Sequence, residues 1–128
     1  MRAIGEAEKI YTTAIEKFNA DEMTDAIHLF ALLCGFQPLK FLGLSALAST
    51  ACAHHAYDHA RALSKAALCH ESGLPQTHFI AGYAAVKLEK IDEGKSHLVR
   101  AMQIGKQKPE WRDVVRATQK ELLLIQFG

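Results

Sequence analysis

Proline and glycine are scarce in this 128-residue chain, at three and eight, and runs of β-branched residues are few. That scarcity excludes an all-β domain, which needs both in quantity. Charge of one sign is missing too: Lys+Arg 15 against Asp+Glu 14 leaves a net +1. Nucleic-acid binding, which rests on a clustered basic surface, is therefore not indicated. No segment carries the roughly 18–20 uninterrupted apolar residues of a membrane span. The stretch Met1–Lys9 holds Arg2, Glu6, Glu8 and Lys9 and lacks an apolar signal core, so a cytoplasmic protein is expected. Cysteine is limited to Cys34, Cys52 and Cys69, an odd and widely spaced set. A disulfide framework or zinc motif is excluded, and the three are expected as small buried hydrophobes. What the chain does have is alanine and leucine, within 49% apolar residues. These are strong helix formers, and the length suits a single domain over residues 1–128.

The alanines are periodic. Three segments align without gaps at a spacing of 34 residues, a period typical of stacked helix hairpins. Ala14, Ala48 and Gly82 form one small column, and Ala26, Ala60 and Gly94 form another. Met23, Tyr57 and Ile91 are all large, and Leu33, Ala67 and Ala101 align. Phe30 and Leu98 share a column that Ser64 interrupts, which predicts a looser second repeat. Acidic residues precede the second small column at Asp25 and Glu93, and at Asp58 one place earlier. Antiparallel helices approach closely only where both present small side chains, so Ala14 should meet Ala26 within one hairpin. Small residues near positions 8, 20 and 27 of a 34-residue unit are the tetratricopeptide pattern. The expected fold is all-α: a tetratricopeptide-repeat solenoid of three helix hairpins plus a C-terminal capping helix.

Repeats are placed at about 7–40, 41–74 and 75–108, with the capping helix at about 110–126. The paired helices are expected at Ile4–Asn19 with Glu22–Gly35, Leu39–Ala53 with Ala56–Ser72, and Pro75–Leu88 with Ile91–Gly105. Pro38, Gly73, Pro75 and Pro109 punctuate them. Trp111, Val114, Val115, Thr118, Leu122 and Ile125 make the stripe of the last helix, to cover the open end of the stack.

The first helix of each pair lines the inner curve of such a solenoid. Its inward positions read Glu8, Tyr11, Ile15, Phe18 and Asn19, then Leu42, Ser45, Ser49, Cys52 and Ala53, then Gln76, Phe79, Tyr83, Val86 and Lys87. Rings stand at both ends with small residues between, a surface suited to an extended apolar peptide. A groove that grips a carboxylate needs clustered Lys, Arg and Asn, and only the distant Asn19 and Lys87 are there. His54, His55 and His59 are the best metal candidates, with His55 and His59 about a turn apart, but no third ligand has suitable spacing. No phosphate loop, nucleophile elbow or apolar carboxylate pair is present, so no catalytic, cofactor or metal residue is expected.

The stretch Ile10–Pro38 resembles the first repeat of the class II type III secretion chaperones, the SycD/LcrH-type translocator chaperones. FLGLSALAS at Phe41–Ser49 is similar to that family's opening of the second repeat, and Ala81–Met102 to its third. KPEWRDVV at Lys108–Val115 resembles the Lys-Pro-Glu-aromatic start of its closing helix. The resemblance implies a bacterial cytoplasmic chaperone that keeps a hydrophobic secreted translocator soluble without ATP. It implies that an extended client segment lies in the groove, on Tyr11, Ile15, Phe18, Leu42, Ser45, Phe79 and Tyr83. It also implies a homodimer, and in some members help to a transcription activator. The family usually carries a dimerising N-terminal helical extension ahead of the point where this chain starts its first repeat. The place of Phe41–Ser49 relative to Tyr57 predicts a longer turn around His54–His55. A chaperone for a needle subunit or an effector, or a tetratricopeptide adaptor or regulatory scaffold, are the alternative readings.

Overall fold

Each helix packs on the next along the chain, as a solenoid of hairpins requires. The computed structural model describes residues 2–33, 40–70 and 74–127. Helices α1 (Arg2–Asn19) and α2 (Met23–Leu33) form the first hairpin, α3 (Lys40–Ala53) and α4 (Tyr57–His70) the second. Helices α5 (Pro75–Lys87) and α6 (Ile91–Gly105) form the third, and α7 (Arg112–Phe127) closes the stack. There is no strand among the described residues. Cys34, Gly35, Pro38, Ser72 and Gly73 lie outside the described residues, as does the side chain of Met23.

The three hairpin turns are copies of one another. Asp21, His55 and Glu89 have φ of 63°, 63° and 65°, and among the described residues they are the non-glycine residues with positive φ. In each turn one N–H reaches back five residues: Glu22 donates to Lys17, Ala56 to Ala51 and Lys90 to Ala85, all at 2.8 Å. A left-handed residue closed by such a bond is the Schellman helix ending. The longer turn expected at His54–His55 is therefore corrected, because the second hairpin closes with the same geometry as the others.

The small columns are buried. Ala14, Ala26 and Ala60 are fully inaccessible, Ala48 nearly so, and Gly82 and Gly94 are buried. In the third hairpin a Cβ added at Gly82 would stand 2.8 Å from the Gly94 carbonyl oxygen. Phe30 and Leu33 fill the core beside Ala14 and Ala26, with Ile10, Tyr11, Ile15 and Phe18 packed against it. Ser64 is also fully buried, and its hydroxyl donates to the Arg61 carbonyl at 3.1 Å. The interrupted column thus keeps its polar group satisfied within α4.

The last helix is entered through a tight turn at Pro109–Trp111, in which the Trp111 N–H donates to the Lys108 carbonyl at 3.1 Å. The regular helix consequently starts at Arg112 rather than near Glu110. Helix α7 packs on both α5 and α6, much as α5 packs on α3 and α4. Thr118 is buried and Trp111, Val114, Val115, Leu122 and Ile125 are half-buried, while Leu123, Leu124 and Phe127 are exposed. Cys52 is half-buried, but Cys69 is exposed, which corrects the expectation of a buried thiol there.

Candidate functional site

Helices α3 and α5 touch, as do α5 and α7, whereas α1 and α3 make little contact among the described residues. A cavity of about 300 Å³ opens between these first two inner helices. One wall is apolar: Tyr11, Ile15 and Phe18 of α1 with Phe30 of α2. Ala46 and Ala48 of α3 and, beyond it, Leu74 and Ile80 extend that surface. The other wall carries hydroxyls and an amide, from Ser45 and Ser49 of α3 and from Gln76 and Thr77 of α5. Ser45 and Thr77 share a 3.2 Å hydrogen bond between their hydroxyls, tying the middle inner helix to the third. No Asp, Glu, Lys, Arg or His lines this space among the described residues.

Of the residues expected in the groove, Tyr11, Ile15, Phe18 and Ser45 therefore line one cavity. The side chain of Leu42 lies outside the described residues. Phe79 and Tyr83 do not border the cavity but form a separate ring cluster. The Tyr83 ring centre lies 5.8 Å from Phe79 and 6.0 Å from Tyr57, with the Lys87 ammonium 5.3 Å above it. Residues 76, 77 and 80 turn toward α1, and the strip of α5 holding 79 and 83 lies beside them. Straight-helix register pointed to the neighbouring strip and missed Thr77, Leu74 and Ile80. It also took Phe30 as core only, although that ring both fills the core and floors the cavity.

Chemistry-bearing groups elsewhere are structural. Arg61 of α4 clamps Glu93 of α6 with Nε–Oε2 at 2.6 Å and Nη2–Oε1 at 2.8 Å, while Lys65 stands 3.6 Å away. That bidentate donor, helped by Lys65, holds the Glu93 carboxyl down at about 2. His78 and His97 lie with ring centres 5.9 Å apart between α5 and α6. Burial, and next the charge of His78, pushes His97 below the ordinary imidazole range. Burial pushes the Cys52 thiol up, which keeps it protonated and unreactive. His55 Nδ1 lies 2.8 Å from the Tyr57 hydroxyl. Among the described residues no three His, Cys, Asp or Glu side chains converge as a metal site.

The geometry matches solved structures over nearly the whole chain. Crystalline SycD, the type III secretion translocator chaperone of Yersinia enterocolitica in an alternative dimer, superposes with a TM-score of 0.85. It is 21% identical, and the match covers 94% of this chain and 91% of SycD. The fold is that of the translocator chaperones. SycD in complex with a peptide of the translocator YopD gives a TM-score of 0.84 at 21% identity, covering 93% and 91% of the two chains. PcrH, a Pseudomonas aeruginosa protein, in complex with the chaperone binding region of PopD gives 0.83 at 17% identity, covering 93% and 90%. No family model and no curated protein matches the sequence. The translocator-chaperone fold accounts for the three hairpins and the closing helix, and no helix is long and apolar enough to cross a membrane among the described residues.

Proposed function

We propose that this chain is a cytoplasmic, non-enzymatic chaperone of type III secretion. It binds an extended apolar segment of a translocator-type client on the inner faces of α1, α3 and α5. The observation that carries this reading is the cavity between α1 and α3, walled by Tyr11, Ile15, Phe18 and Phe30 and free of charged residues among those described. Rings on a rigid helical frame bury apolar client surface that would otherwise aggregate, and masking it requires binding energy alone. SycD and PcrH, which share the fold, have been crystallised with YopD and PopD segments. The ring cluster of Phe79, Tyr83 and Tyr57 extends the same inner surface along α5. A homodimer and contact with a transcription activator belong to the same reading.

Tyr11→Ala combined with Phe79→Ala removes one ring from each group. Co-expressed with a secreted protein of the same genome that carries apolar segments, the double variant should recover about tenfold less soluble client, the equivalent of roughly 1.4 kcal/mol of lost binding. Its helical circular dichroism should match wild type. Undiminished client recovery by this folded variant overturns the groove assignment.

A further inference from the structure

The cavity between α1 and α3 has an origin in the 34-residue register. Tyr11, Ser45 and Phe79 occupy the same place in successive repeats, as do Ile15, Ser49 and Tyr83. The middle inner helix thus carries two serines where both neighbours carry rings or a large aliphatic chain. The space is a missing side chain, bounded by rings on one side and hydroxyls on the other. Thr77 is 3% exposed, and its bond to Ser45 satisfies one of the two hydroxyl hydrogens. Both residues line the cavity, so an all-apolar occupant would cover the second hydrogen and the remaining lone pairs without meeting them. A charged occupant would find no counter-charge among the lining residues.

We infer that this pocket selects a phenolic ring, a tyrosine of the bound client, and that Ser45 and Thr77 determine that choice. The inference rests on the client-groove reading above. The ring takes the place of the absent aromatic of the middle repeat, against Tyr11, Ile15 and Phe30. Its hydroxyl donates to one oxygen of the Ser45–Thr77 pair and accepts from the free hydroxyl of the other.

The test uses p-cresol and toluene, which differ by one hydroxyl, with binding read from backbone amide shifts of the full chain. In a purely apolar pocket toluene binds better, because its transfer from water is the more favourable. Here p-cresol should bind about three- to tenfold more tightly than toluene, with saturable shifts at Ser45, Ser49 and Thr77. Ser45→Ala and Thr77→Val, each checked for retained helicity, should bring the two affinities together or reverse them. Toluene binding as well as p-cresol to wild type, a preference unchanged in both variants, or binding of neither ligand overturns the inference. Ser45→Phe, which fills the pocket, separates the two proposals. If it abolishes p-cresol binding yet leaves client recovery intact, the groove reading fails while the phenol preference stands. If client recovery falls but wild type prefers toluene, only the phenol preference fails.

Discussion

Gly82 of α5 and Gly94 of α6 face each other with no room for a side chain between them. A Cβ on Gly94 would lie 2.9 Å from the Gly82 carbonyl oxygen and 3.1 Å from the Val86 nitrogen, and would overlap the Val86 side chain. Backbone atoms of a packed helix do not yield, so the helix-propensity gain of alanine, about 1 kcal/mol, is outweighed. Gly94→Ala should lower stability by about 1–2 kcal/mol net, seen as a lower denaturation midpoint at unchanged slope. Glu89 presents the opposite case. It holds φ of 65° at the end of α5, a conformation that glycine adopts without steric penalty. Glu89→Gly should raise stability by about 0.5–1 kcal/mol, measured by the same unfolding curve. A lower midpoint would show that the Glu89 side chain contributes more than its backbone strain removes. The period of 34 made the small columns readable from sequence, but not that the third hairpin admits no methyl group between its helices.

At the scale of elements, α4 and α6 are joined by the Arg61–Glu93 pair, and α5 and α6 bring the rings of His78 and His97 together. Glu93 loses its proton at about 2 when folded against an ordinary 4.5, because of Arg61 and then Lys65. The unfolded chain therefore takes up that proton first, and stability declines as pH falls from about 4.5 toward 2. His97 is also held below its ordinary 6.5, by burial and then by His78, so the unfolded chain again protonates first. An earlier loss of stability should then begin as pH drops below about 6.5. Denaturation midpoints across the acid range should show both declines, and Glu93→Gln should remove the one below 4.5. A Glu93→Gln midpoint that still falls as steeply between 4.5 and 2 rules out this assignment. None of this coupling was legible in sequence. Glu93 drew notice only for its place before a small column, and its partner sits 32 residues away on another helix.

Across the whole molecule, the fold was legible because a repeat multiplies weak local signals. One alanine at a helix position means little, but three in register fix which faces meet. The site was less so. Tyr11, Ile15, Phe18 and Ser45 were reachable by register and do share a cavity. Thr77 and Ile80 were not, since the rotation of α5 about its own axis follows from packing against α3, α4, α6 and α7 together. Phe79 and Tyr83, placed by register at the opposite end of the groove from the first ring group, form a cluster of their own in which Tyr83 tilts against Tyr57.

The paired serines on the middle inner helix have a consequence for genetics. Proteins usually lose a binding site by truncation of the side chains that build it. Here Phe30 belongs to the core as well as the cavity, so alleles shortening it damage folding along with binding. Ser45 and Ser49 border vacant space, and codon changes there that add bulk would silence the pocket while sparing the scaffold. A screen that demands a folded but client-blind protein should therefore gather its alleles at those two codons, and they should be enlargements.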